Sequence, residues 1–150
     1  METIAVQEGE YLITTDQHAF DLHAIHDYLS RESYWAQHIP FRTVKKSVEG
    51  ALCFGVFHDS RQIGFARVIT DGAVFAYLAD VYILQPYRGR GLSKFLMRTI
   101  LAPPDLQGLR RILLATNDAH GLYRQFGFTE IPNPEKYMCI SNPDPYTKRE

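Results

Sequence analysis

An α/β fold of the α+β kind, with a mixed, mostly antiparallel central sheet flanked by helices, is predicted for this 150-residue chain by three observations. Three strand-like apolar runs follow one another between residues 51 and 84 with only short turn signals between them. Such spacing makes an antiparallel meander, because a parallel pairing needs a long crossover. Helical periodicity precedes the meander at residues 20–30 and 43–49 and follows it at residues 92–101. A further apolar run at residues 111–116 comes after that last helix, which places it parallel to the third run of the meander.

The elements follow in order. Residues 11–14 read as a short strand, closed by the cap or turn signal Thr15-Asp16. Leu22, Ile25, His26 and Leu29 have helical spacing, and the aperiodic segment 33–41, with the single tryptophan, reads as a loop. Val44 and Val48 mark a second, amphipathic helix stopped by Gly50. The meander strands are separated by Asp59-Ser60-Arg61 and by Asp71-Gly72. The third of them is apolar on both alternating faces, as a strand covered on both sides would be. Pro103-Pro104 ends the third helix, and residues 119–126 form a short helix closed by Gly127. Residues 136–140 are expected to be a last strand and residues 142–150 a frayed tail, so residues 1–150 make one domain.

Composition excludes several classes of partner. A formal net charge of -1 gives no basis for binding nucleic acid or an anionic membrane. No run is long and apolar enough to span a bilayer, and the first ten residues do not resemble a signal peptide, so the expected location is cytoplasmic. Cys53 and Cys139 lie in apolar runs without metal-ligand spacing and are expected as buried free thiols; the scattered histidines lack a matching acidic cluster, so no metal site is expected.

The chemistry concentrates in residues 85–101. A strand, a tight glycine turn and a helix succeed one another there. The first N–H groups of such a helix lack intrahelical partners and lie at the positive end of its dipole, which suits phosphate oxygens. Gly89 and Gly91 permit close approach of backbone to a ligand, and Arg88 and Arg90 add charge. Neither a dinucleotide fingerprint nor a phosphate-binding loop of the G-x-x-x-x-G-K-S/T type is present, so the turn alone also fits a purely structural role.

A second segment, ATNDAHGLYRQFGF, places Asn117 directly after the 111–116 strand, Tyr123 on the short helix and Gly127-Phe128 at its exit. With this segment added, residues 74–128 resemble the GNAT superfamily of N-acetyltransferases. In that family an acetyl-CoA site is built from a strand, a Q/R-x-x-G-x-G/A loop and a later N…LY…GF segment. Arg88, Gly91 and Ser93 fill the loop positions, with Ser93 departing from the family's glycine or alanine.

The resemblance implies acetyl-CoA as cofactor, its pyrophosphate on the backbone of Arg88, Gly89, Arg90, Gly91, Leu92 and Ser93. Val81, Tyr82 and Ile83 would pair with the pantetheine arm and polarise the thioester carbonyl, and Asn117 would contact the cofactor. Tyr123 would protonate the departing thiolate, a task that suits a phenol; its alternative is a packing tyrosine on an amphipathic helix. The family offers no single base position to transfer. Asp80 is the carboxylate nearest the thioester strand and is the expected base, against a locally satisfied strand-end acid; His120 is a further candidate, against a helix-start role.

Tyr34 and Trp35 are the expected acceptor pocket, unless they only pin their loop to the core. The implied function is transfer of acetyl from acetyl-CoA to a primary amine of a small molecule, an amino acid or similar. Alternatives are an acyl-CoA binding or sensing module without turnover, or an enzyme acting on a protein or peptide amine. Family habit adds a homodimer.

Overall fold

The computed structural model describes residues 1–146; the end of the expected frayed tail, residues 147–150, lies outside the described residues. Strand β1 (Ala5–Glu8) and strand β2 (Tyr11–Thr14) form a hairpin, with Gly9 in the left-handed region at its tip. Helix α1 (Leu22–Asp27) is capped by Asp21, whose carboxylate accepts from the Ala24 N–H at 3.0 Å. The helix does not run on to residue 30 as expected. A π turn, Tyr28–Glu32, takes over and turns Tyr28 and Leu29 into the core. Helix α2 (Phe41–Glu49) begins directly after Pro40, two residues earlier than the spacing indicates.

The meander forms as expected: β3 (Leu52–His58), β4 (Arg61–Thr70) and β5 (Phe75–Ile83), followed by α3 (Leu92–Ile100), β6 (Arg111–Leu114) and α4 (His120–Arg124). All six strands join one sheet in the order β1-β2-β3-β4-β5-β6, antiparallel except for the parallel β5–β6 pair. Helix α3 covers one face, where Leu92, Phe95, Leu96 and Ile100 meet Phe54, Val56, Val68 and Leu78. On the other face α1, the π turn and α2 bury Ile25, Leu29, Val44 and Val48 against Cys53, Phe65 and Tyr82. The period-2 alternation of strand side chains explains why Cys53 and Phe54 belong to different layers. Each such large side chain, fully buried, contributes about 1.5–3 kcal/mol.

Two expectations at the C-terminus are corrected. Residues 136–140 form no strand, because among the described residues their backbone meets no neighbouring strand; a short 3-10 turn, Pro134–Lys136, precedes an extended run. Cys139 is therefore exposed, whereas Cys53 is buried. One strand was also not legible: β1, whose residues are all exposed and show no apolar alternation.

Candidate active site

Site geometry begins with a register slip. Phe65 of β4 stands opposite Tyr82, but Arg67 stands opposite Ala79, so Asp80 and Val81 together face the single residue Ala66. This is a β-bulge, and Asp80 takes φ of 55° within it. Aspartate tolerates the left-handed region better than most residues. The bulge bends β5 just after its last pairing with β6, Leu78 to Leu114. Beyond that point Ala79–Ile83 keep β4 on one side and, among the described residues, have no strand on the other. The faces of β5 are covered as expected, with Ala76, Leu78 and Ile83 in one layer and Tyr82 in the other, but a cleft of about 450 Å³ opens at its edge where the two parallel strands part.

Tyr34, Trp35, Arg67, Tyr77, Asp80, Val81, Asn117 and Tyr123 all line this cleft. Asp80 is held from two directions: Arg67 donates from Nε to Oδ2 at 2.8 Å, and the Trp35 indole donates from Nε1 to Oδ1 at 2.8 Å. Tyr34 and Trp35 are 49% and 41% exposed, so they are not the anchors of their loop. Buried Ser33, Ala36 and Ile39 anchor it instead, with the Ser33 hydroxyl donating to the Leu29 carbonyl at 2.7 Å. Tyr34 crosses to the far wall, where its hydroxyl accepts from the Asn117 N–H at 2.8 Å. The two aromatic rings meet edge to face at 5.0 Å.

Tyr123 is 8% exposed and packs edge-on against Phe128 at 5.7 Å, which is what the Gly127-Phe128 exit provides. Among the described residues its hydroxyl has no hydrogen-bond partner, and the side chain lines both this cleft and the groove on the other side of β6. Burial, reinforced by Tyr34 and Asp118, pushes its pKa up to about 12. The phenol is therefore protonated at any physiological pH.

The glycine turn lies past the end of β5 and does not line the cleft of the other site residues. Gly89 and Gly91 have φ of 79° and 78°, and a Cβ built at either would meet nothing within 4 Å. Their glycines answer a backbone need rather than a crowding one. Gly91 is the N-cap of α3 and supplies no side-chain cap, so the first N–H groups of a nine-residue helix remain open at the turn. Arg88 is directed inward: its Nε donates to the Ile83 carbonyl at 2.9 Å and its Nη2 to the Tyr28 hydroxyl at 3.2 Å. Tyr28 in turn stacks on Tyr82 at 3.8 Å. Arg88 thus ties the turn to β5 by its side chain, while Arg90 donates to the Tyr11 hydroxyl at 3.0 Å on the exposed side.

Asp80, Val81, Tyr34, Trp35, Asn117 and Tyr123 share one cleft; Tyr82 and Ile83 turn their side chains into the core, so only their backbone is available to a ligand. His120 lies on the opposite side of β6. Sequence reading missed Arg67, Tyr77 and Tyr146. Arg67 had a signal, as the one charge within the apolar part of its strand.

An open strand edge, a helix start without a cap and a free, protonated phenol suit a long acyl thioester with a pyrophosphate at its far end. Fold and cleft define an acyltransferase. Residues 49–130 match the family model described as the acetyltransferase (GNAT) domain, more than half of the chain. The chain belongs to the GNAT family of acetyltransferases, a family that uses acetyl-CoA as co-substrate.

Relatives agree. FG08082 of Gibberella zeae, which carries a provisional acetyltransferase name, is 31% identical over 77% of this chain and 76% of its own length. A crystal structure of a GNAT-family protein from Xanthomonas campestris pv. campestris is 47% identical, with a TM-score of 0.91 over 95% of this chain and 100% of that one. A GNAT structure from Elizabethkingia anophelis with acetyl-CoA bound shares the fold alone, at 10% identity and a TM-score of 0.60 over 81% of this chain and 78% of that one. Among the described residues no helix is long and apolar enough to cross a membrane.

Proposed function

We propose that this protein transfers the acetyl group of acetyl-CoA to the primary amine of a small molecule, an amino acid or similar compound, by direct attack on the thioester. The observation that carries this reading is Tyr123: buried, protonated, and with a hydroxyl that no described residue engages, beside an open strand edge. Such a group is poised to donate its proton. Bound acetyl-CoA supplies the activated acyl group and a thiol leaving group. The open N–H groups at the Gly91 start of α3, with the backbone of residues 88–93, hold the pyrophosphate.

The remaining steps belong to the chain. The unpaired edge of β5 between Val81 and Ile83 offers a backbone N–H that polarises the acyl carbonyl; one well-aimed donor of this type lowers the barrier by about 3–4 kcal/mol. Tyr34 and Trp35 form the aromatic wall on which the acceptor rests, and Asn117 lines the opposite wall. At pH 7 only about one lysine-like amine in a thousand is neutral, a cost of roughly 4–5 kcal/mol, so proton removal matters. Asp80 takes that proton through water when the acceptor displaces the Trp35 indole from Oδ1, while Arg67 keeps the carboxylate oriented through Oδ2. Tyr123 then gives its proton to the departing thiolate.

A module that binds acyl-CoA without turnover would use the same turn and strand edge but would not need Tyr123 free. A panel of amines and amino acids, assayed for release of free CoA, tests the proposal. Release above the hydrolytic background with at least one small amine is expected. Release only with peptide or protein amines would move the acceptor class, and no release with any amine would reduce the protein to a binding module.

A further inference from the structure

Among the described residues the charged side chains that line the cleft are Arg67, Asp80 and Asp118. The first two act as one dipole. Their contact runs from Nε to Oδ2 at 2.8 Å, which leaves the second carboxylate oxygen on one flank of the pair and the two terminal guanidinium nitrogens on the other. Oδ1 accepts from the Trp35 indole at 2.8 Å. Nη1 and Nη2 are not engaged: among the described residues neither has a hydrogen-bond partner, and neither is sealed from open space, although the Arg67 side chain is only 18% exposed.

Neutralising Asp80 does not require this arrangement. An arginine kept for that purpose alone commonly meets a carboxylate with two parallel N–H groups; here only the Nε–H is used and the planar fork stays open. Tyr77 adds a further donor. It lies on the same face of the sheet as Arg67, because Arg67 stands opposite Ala79 and Ile69 opposite Tyr77, and among the described residues its hydroxyl is also without a partner. Asp118 bears on orientation. It follows Asn117 on the other wall, so an anionic group on the acceptor is repelled there and drawn to the Arg67 side.

We propose that the acceptor is a free α-amino acid, held as a zwitterion by the Arg67–Asp80 pair. Its ammonium group takes the place of the Trp35 N–H at Oδ1, and its carboxylate accepts from the open Nη groups of Arg67 and from the Tyr77 hydroxyl. The pair is neutral as a whole, so an acceptor that is only cationic loses at the guanidinium much of what it gains at the carboxylate. A zwitterion laid antiparallel to the pair gains at both ends. Its two charged groups sit on one carbon, as the two receptors sit on one ion pair. The inference rests on the transfer reading above and narrows it, since a protein lysine side chain, a peptide N-terminus and a polyamine have no carboxylate beside the amine. Arg67 then sets specificity as well as orienting Asp80.

Matched acceptors test this on the wild-type enzyme: phenylalanine, its amide and phenylethylamine, and the same series built on leucine, compared by kcat/KM for CoA release. The amide is the demanding control, because loss of the neighbouring negative charge lowers the pKa of its amine and leaves more of it neutral. A kcat/KM about tenfold or more higher for the amino acid than for either counterpart is expected, the effect of one charge-assisted hydrogen bond. Arg67→Lys keeps a cation beside Asp80 and removes the fork; it should erase most of that preference, a change of ratio that a loss of stability does not produce. An amide or a decarboxylated amine that equals the amino acid, or a preference that survives in Arg67→Lys, would overturn the inference and leave the transfer reaction standing. If no acceptor is acetylated, the transfer reaction fails, and calorimetric titration of the protein in excess CoA with the same compounds reads the acceptor site alone. Binding of the amino acid about tenfold tighter than its amide would uphold the inference, and equal affinity would overturn it.

Discussion

Arg67 and Asp80 face each other across the β4–β5 pair, Nε to Oδ2 at 2.8 Å, at the one place where the register of that pair slips. The bulge holds the carboxylate in the left-handed region and Arg67 neutralises it there. Neither side chain is well exposed, so removal of one leaves the other charge uncompensated. Arg67→Ala should lower unfolding free energy by about 3 kcal/mol in urea denaturation, the usual cost of orphaning a buried charge. Asp80→Asn keeps one acceptor oxygen, sets its amide N–H against a donor and leaves Arg67 uncompensated, so it should cost a comparable amount, while lowering kcat about a hundredfold if Asp80 relays the amine proton.

Tyr123→Phe removes one hydroxyl and keeps the edge contact with Phe128. Turnover should fall by about two orders of magnitude, in the range measured for general acids. The KM for acetyl-CoA should barely move. Unchanged turnover would remove the general-acid assignment.

The pH dependence follows from burial. Tyr123 serves while protonated, and its pKa of about 12 lies above the ordinary tyrosine value, so activity should show no alkaline loss from this group up to roughly pH 11. Stability behaves oppositely. Burial also pushes the Cys53 thiol up to about 12. Both groups bind protons more tightly folded than unfolded, so their contribution is complete below their unfolded values and is lost as pH rises toward 12. Melting temperature measured from pH 8 to 11 should therefore decline, and the decline should be shallower in Cys53→Ala.

Gly91→Ala places a Cβ where nothing crowds it but φ is 78°. The left-handed region costs a non-glycine residue roughly 1–2 kcal/mol, which thermal denaturation should register. Relief of that strain would turn the first N–H groups of α3 away from the turn. A KM for acetyl-CoA raised several-fold, with kcat nearly unchanged, is the expected kinetic signature.

Much of this was legible in the chain itself, for reasons that can be named. Turn chemistry at Asp59-Ser60 and Asp71-Gly72, and the lack of room for a crossover, determine the meander; the Pro103-Pro104 stop and the helix before it determine the one parallel pair. The turn and Tyr123 were recognisable because backbone freedom and spacing are written locally. What was not legible depends on register and distance. No pattern in residues 75–83 announces that Asp80 shares its place with Val81 opposite Ala66, and so neither Arg67 nor the 45-residue span from Trp35 to Asp80 could be paired in advance. The π turn after Asp27 replaces i to i+4 spacing with a wider one that apolar periodicity does not resolve. Residues 137–140 have the composition of a strand, but composition cannot state whether a neighbour exists to pair with it.

Acetyl-CoA is expected to lie along the open edge of β5 with its pyrophosphate at the start of α3. Isothermal titration of the protein with acetyl-CoA measures this directly. One site per chain is expected, with nearly the same affinity in Tyr123→Phe and weaker binding in Gly91→Ala. The absence of any binding heat or thermal shift at millimolar acetyl-CoA would contradict it.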